Sequence, residues 1–254
     1  MQIVRYQKDD SSHWGYLDGE QVGPITGDIF GEFSRGRKKV PLAEVKLLAP
    51  CLPSKIVGLT RNFFDRVRES GGPAPDLPTI FLKPPSTVIG PADPIFLPPQ
   101  SQQVEHGAEL AVVIGKRARW VTPEQALTHV LGYTCADDVT ARDLIDADGL
   151  WARGKGFDTF CPLGPCIVTG LDSAELLITC RVNGETRQMS STHDLLFSAP
   201  KIVAFVSSIM TLLPGDVILT GTPGGRGLLN AGDVVEVEIE GIGKLSNPVR
   251  AEER

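Results

Sequence analysis

The chain has 254 residues, 41% hydrophobic and 22% charged, which suits one large globular domain or a large domain with a small companion. A net charge of −6, from 25 basic and 31 acidic side chains, argues against nucleic acid or an anionic membrane surface as partner. The N-terminus has no apolar signal core, no apolar run reaches membrane-spanning length, and the five cysteines show no CxxC spacing, so reduced packing thiols in a cytoplasmic protein are expected, Cys161 and Cys166 among them.

Residues 1–50 read as a small β-rich domain. Ile3, Val4 and Tyr6 mark a first strand, and 14–17 leads into an Asp18-Gly19 hairpin turn. A Gly- and Arg-rich loop over 27–39 precedes an extended segment at 41–48. Pro50 and Pro53 mark a boundary, and 55–254 is a second, larger unit. It opens on a buried strand at 55–59, then a short charged helix within 62–70. Pro73, Pro75 and Pro78 stiffen a connector of the kind that borders a pocket as a lid or plain loop.

Strands are expected at 79–82 and 87–89. The capping-box pattern Thr122-Pro123-Glu124-Gln125 starts a helix with Ala126, Leu127 and Val130 on its apolar side. A strand at 131–134 delivers Asp138. Asn183-Gly184 predicts a hairpin after the strand 176–182. Ile202, Phe205, Val206 and Ile209 have helical spacing within 198–212. Strands at 216–219 and 234–239 close the chain, each starting at a Gly-Asp pair. Many short strands and few helices give an α+β, mostly β protein built on a rolled or barrel-like sheet.

The chemistry concentrates in 104–143. Strand alternation puts Glu105, Gly107 and Glu109 on one face, with His106 and Ala108 on the other. Asp138 ends a second strand, and oxygen ligands from both would suit Mg²⁺, Mn²⁺ or Ca²⁺ rather than Zn²⁺. The plainer reading makes these acids solvated strand ends or ion-pair partners of Arg142 and Lys155. Lys155 lies between glycines in a polar loop, where a lone lysine is usually exposed; beside a metal it could stabilise an enolate. Thr220-Gly221-Thr222-Pro223 followed by Gly224-Gly225 offers hydroxyls and amides to an anion. His193 has no partnering nucleophile elbow of the G-x-S-x-G type, so a serine-hydrolase triad is not expected. His13 and His129 read as structural or surface residues.

Taken in order, these stretches resemble the fumarylacetoacetate hydrolase superfamily over about 55–250. The carriers are Glu109-Leu110-Ala111-Val112-Val113-Ile114-Gly115-Lys116, Asp138-Val139-Thr140-Ala141-Arg142-Asp143, Lys155 with Asp158-Thr159-Phe160, Val182-Asn183-Gly184-Glu185 with Gln188, and Leu213-Pro214-Gly215-Asp216 with Thr220-Gly221-Thr222-Pro223. The resemblance implies a β-roll catalytic domain, a homodimer, a divalent-metal site and reactions of small keto or enol acids. Carried over by position, Glu109 and Asp138 are metal ligands, while the family's first glutamate falls on Gly107. Glu105, on the same face, is expected to reach over and replace it. The family's His-x-x-Glu lid dyad follows an Asn-Tyr pair; here Asn62-Phe63 precede Arg66 and Glu69. Ile145 stands where some hydrolases carry glutamine.

Lys83 to Gly90 is similar to the branch of 4-hydroxyphenylacetate catabolism, where one of two related halves or subunits is degenerate at the metal site. That implies decarboxylation of 5-oxopent-3-ene-1,2,5-tricarboxylate, isomerisation of 2-hydroxyhepta-2,4-diene-1,7-dioate, or both. Lys155 would support the enolate, Glu69 would move the proton, and Arg66, Arg142, Gly221 and Thr222 would hold a keto or enol dicarboxylate, with Mg²⁺ the first choice of metal. The alternatives are an acylpyruvate-type hydrolase or oxaloacetate decarboxylase, and a catalytically weak subunit serving an active paralogue.

Overall fold

A computed structural model describes residues 1–253. Twenty strands and five short α-helices make the described chain mostly β. The largest sheet has thirteen strands. Its central path runs from Gln2–Lys8 through Cys161–Val168, Val130–Asp137, Ala108–Ile114 and Val217–Leu219 to Ile56–Thr60 and the edge strand Thr79–Lys83. A second sheet orders Ile95–Leu97, Gly243–Ala251, Val234–Ile239, Leu177–Val182 and Glu185–Ser191. Val104–Glu105 and Thr140–Ala141 form a two-stranded ladder of their own.

The strand Ala108–Ile114 is buried along its whole length. Leu110, Val112 and Ile114 enter one apolar core, with Ile178, Val237 and Leu245 of the second sheet. Ala111 and Val113 enter another, with Ile3, Ile56 and Leu163. A strand packed on both faces has no solvated side, which is why its sequence is a continuous apolar run. Glu109 shares the face of Ala111 and Val113, so one carboxylate is carried into that interior.

Residues 1–50 are joined to the rest by the sheet itself: Gln2 pairs with Val168 and Ile3 with Ile167. Their hairpins turn at Asp9-Asp10, both at positive φ, and at Gly19. The Asn183-Gly184 hairpin forms as expected, with φ of 53° and 81°. The helix Ala199–Ile209 forms too, burying Ile202, Val203 and Val206. The Thr122 capping box is present, but its helix Pro123–Ala126 is one turn long, and Val130 opens the next strand instead of continuing the apolar stripe. Buried Asp216 locks the start of its strand by accepting bonds from the amides of Ser54, Lys55 and Leu213.

Candidate active site

The strand read as continuous from Glu105 to Glu109 is interrupted. Val104–Glu105 pairs with Thr140–Ala141, Ala108–Ile114 pairs with Val130–Asp137, and His106 and Gly107 lie between. The Gly107 amide donates to Asp137 Oδ1 at 2.6 Å, and the Asp138 amide donates to the Gly107 carbonyl at 2.8 Å. These two bonds bring Asp138 beside Glu109.

Asp138 is gripped by two ammonium groups. Lys83 Nζ donates to Oδ1 at 2.8 Å, and Lys155 Nζ to Oδ2. Lys155 also reaches Thr140 Oγ1 at 2.7 Å and stands 4.3 Å from the centre of the Phe81 ring, which stacks on Trp151. Lys155 is therefore not the exposed lysine of the plainer reading. The residue ends the one-turn helix Ala152–Lys155 and is 3% exposed. Gly154 lets that turn press close, since a Cβ there would lie 2.6 Å from the Ala141 carbonyl oxygen. Burial lowers the Lys155 pKa to about 8 against the pull of Asp138. Burial opposes the charge on Asp138 as well, but Lys155 and Lys83 overcome it and hold its carboxyl below the usual range.

Glu109 is fully buried. Its Oε2 accepts the Gly221 amide at 2.6 Å, and its Oε1 has no partner. Burial and the neighbouring Asp138 push its pKa well above normal, so of the two acids Glu109 holds a proton more readily. Burial also lifts Asp137 to about 7. Gly221 is at φ +97°, and a Cβ there would meet Asn62 Cβ at 2.9 Å. Asn62 pins this loop by donating to the carbonyls of Thr220 and Phe197.

Glu105 is not at the position expected of a third ligand. Four residues of strand span about 13 Å, and the break at His106–Gly107 turns its carboxylate to Arg142 Nε and Arg226 Nη1, each 3.3 Å from Oε2. Among the described residues no group of three or more His, Cys, Asp or Glu side chains is arranged to hold a metal ion. The ion-pair reading of these acids thus applies to Glu105 with Arg142 and to Asp138 with Lys155. Arg66 and Glu69 pair with each other at 2.5 Å, and Glu69 Oε1 accepts the Gly225 amide at 3.2 Å. Thr222 Oγ1 and the Pro223 carbonyl bind Gln188 Nε2, each at 2.9 Å.

Gln188 Oε1 accepts the Ala108 amide at 3.0 Å and faces His106 Nδ1 at 3.1 Å. The amide orientation makes Nδ1 the protonated nitrogen, leaving Nε2 buried without a partner. Sequence reading passed over Lys83, His106 and Arg226 as site residues. For Lys83 the available signal was a lysine ending an apolar strand; for Arg226, a lone cation within the glycine-rich stretch after Thr222.

Residues 55–250 match the family described as fumarylacetoacetate hydrolase C-terminal, and residues 1–50 the family described as Rv2993c-like, N-terminal. The chain belongs to the fumarylacetoacetate hydrolase family. The structure of 2-hydroxyhepta-2,4-diene-1,7-dioate isomerase from Mycobacterium marinum superimposes with a TM-score of 0.94 at 41% identity, covering 100% of both chains. A mitochondrial oxaloacetate tautomerase of Bos taurus is 46% identical over 83% of this chain and 71% of its own. The structure of maleylpyruvate hydrolase from Sphingobium sp. SYK-6 with manganese(II) and pyruvate has a TM-score of 0.84 at 31% identity, covering 100% of both chains. Family members thus include an isomerase, a tautomerase and a hydrolase, and one is seen with a divalent metal.

Two features of the site fit such a cation. Glu109 presents a buried, unpartnered oxygen next to Asp138, and a side chain at Gly107 would point toward the Asp138 carbonyl and Thr222. Glu109 and Asp138 would be the protein's ligands, and Glu105 would not.

Proposed function

We propose that the chain is an isomerase of keto and enol dicarboxylic acids, acting on 2-hydroxyhepta-2,4-diene-1,7-dioate or a close analogue, with decarboxylation of 5-oxopent-3-ene-1,2,5-tricarboxylate as a companion activity. The observation that carries this reading is the Arg66–Glu69 ion pair. Where a hydrolase of this family has an imidazole beside its lid glutamate, this chain has a guanidinium, which cannot take a proton from water. Proton relocation along a dienolate and loss of CO₂ need no water nucleophile. The M. marinum isomerase and the bovine tautomerase support the same side of the choice, since both names describe shifts within such acids.

A divalent ion held by Glu109 and Asp138, Mg²⁺ by preference and Mn²⁺ otherwise, would supply Lewis-acid polarisation of the 2-oxo group. The chain's own residues do the rest. Lys155 and Lys83 place two buried ammonium groups where negative charge develops. The loop carrying Gly221 and Thr222 is held rigid by Glu109 and Gln188 and binds the substrate's oxygens. Glu69, at the edge of that loop, moves the proton. Arg142 and Arg66 attract carboxylates.

The protein alone, as a homodimer and with Mg²⁺ or Mn²⁺, is expected to consume the dienoic diacid, followed by loss of its ultraviolet absorbance. Lys155→Met should lower kcat by about 10²–10³-fold. Absence of turnover on any keto or enol diacid would sink the reading, and activity restored only by a paralogue would replace it with that of a weak subunit. Light scattering checks the dimer. Among the described residues no helix is long and apolar enough to cross a membrane, and the reading places the enzyme in the cytoplasm.

A further inference from the structure

Two guanidinium groups share one oxygen of Glu105. Arg142 Nε and Arg226 Nη1 each stand 3.3 Å from Oε2, longer than the 2.7–2.9 Å of about normal charge-assisted bonds. Each guanidinium has five donors, yet among the described residues Glu105 is the only acid that either one pairs with. Arg226 Nε is buried without any partner. Two cations against one anion leave a positive charge over, while nearby Arg66 is already balanced by Glu69. Burial lowers the Arg226 pKa against the pull of Glu105, and Arg142 and Arg66 add to the lowering, as befits a crowded cation that a second carboxylate would relieve.

The backbone ties this cluster to the reacting groups. The Gly227 carbonyl accepts the His106 amide at 3.1 Å, and the Leu229 amide donates to the Val104 carbonyl at 2.8 Å. Residues 227–229 therefore run alongside 104–106, with Arg226 at the head of that pairing and four residues after Thr222. Glu105 lies directly opposite Thr140 in its ladder, and Thr140 touches Lys155. Cluster and lysine occupy neighbouring positions across one short ladder, within reach of the two ends of one small diacid.

We infer that Arg226, with Arg142, receives the distal carboxylate of the substrate, Glu105 being the internal anion that keeps the two guanidinium groups in place. Arg226 is then the residue that selects dicarboxylic over monocarboxylic keto acids. The inference rests on the proposed keto-acid chemistry and adds the residue that sets its substrate class.

Calorimetric binding of 2-oxoadipate and 2-oxohexanoate to the Mn²⁺-supplemented protein tests it, because the two acids differ in the distal carboxylate. The wild type should bind 2-oxoadipate about 10–100-fold more tightly. Arg226→Leu should abolish that preference while leaving 2-oxohexanoate affinity unchanged. Arg226→Lys, which keeps the charge and loses the fork, should retain part of it. A wild type that binds both acids equally, or an Arg226→Leu protein that weakens both alike or neither, overturns the clamp and leaves the keto-acid reading standing. A wild type that binds neither acid overturns both.

Discussion

At the scale of single residues, the site is a balance of buried charges. Lys83 and Asp138 are both buried, and Asp138 holds its charge because two ammonium groups face it. A buried charge left with no partner costs about 3–5 kcal/mol, but Lys83→Met leaves Asp138 paired with Lys155. The variant should therefore lose less than that in urea unfolding, and Lys83→Met with Asp138→Asn should lose less than the sum of the two single variants. Additive losses would show that the contact is not energetic. Gly107 is the second lever. A Cβ there would lie 3.2 Å from the Asp138 carbonyl oxygen and 3.5 Å from Thr222 Cβ, so a side chain enters with a small adjustment. Gly107→Glu should tighten Mn²⁺ binding about tenfold in calorimetry, as expected for a third oxygen ligand; unchanged affinity would mean that position 107 does not face the cation. Glu109 was legible in the sequence because an acid interrupts an apolar run, whereas Asp138 and Lys155 stood out through the motifs of the family resemblance. Glu105 was misread because alternation was carried through His106-Gly107, where hydrogen bonds to Asp137 and Asp138 divide the strand. Arg226 gave no periodic signal at all, since its place comes from pairing with residues over 120 positions earlier.

At the scale of elements, the strand Glu185–Ser191 is hydrogen-bonded to the loop after Thr220 through the Gln188 side chain. Gln188 joins Ala108 and His106 on one side to Thr222 and Pro223 on the other. Burial lowers the His106 pKa, with Gln188 and Glu105 opposing and Arg187 and Arg226 adding to the effect. Its folded pKa lies below the unfolded value of about 6.5, so the unfolded chain binds the extra proton first. Stability from neutral His106 is present above that unfolded value and is lost as pH falls toward the folded one. His106→Asn keeps a donor for Gln188 and does not titrate. Its Tm relative to wild type should rise between pH 7.5 and pH 5, whereas parallel Tm curves would show that His106 carries no acid sensitivity. The elements with local chemical signatures were the legible ones: the Asn183-Gly184 turn, the Thr122 cap, the apolar stripe of Ala199–Ile209. The strand Gly243–Ala251 was not, because Gly243 and Pro248 disguise a segment whose register is set by Val234–Ile239 on one side and Ile95–Leu97 on the other. The Asp9-Asp10 turn was missed because two aspartates seldom mark a hairpin.

At the scale of the whole molecule, the question is whether residues 1–50 are an attachment or part of the frame. Prolines at positions 50 and 53 make the boundary legible, but the pairing of Gln2–Lys8 with Cys161–Val168 joins residues more than 150 positions apart and leaves no local trace. Through it, Ile3 and Ile167 share an apolar core with Ala111, Val113 and Ala136, which lie on the strands that carry Glu109 and lead to Asp138. Ile3 is fully buried, so Ile3→Ala should cost about 2–5 kcal/mol. If the N-terminal strands are part of one cooperative unit, that cost moves a single unfolding transition, and tyrosine and tryptophan fluorescence report the same midpoint as circular dichroism. An independent N-terminal domain would instead melt early in the variant and leave a second transition at the wild-type midpoint. Ile167→Ala adds the decisive arm. Ile167 is the register partner of Ile3, and the two replacements open one shared cavity, so the double variant should lose less than the sum of the singles. Strict additivity, or a separate early transition, would return residues 1–50 to the status of an attachment. It would also remove the sheet continuity through which they brace the strands of the site.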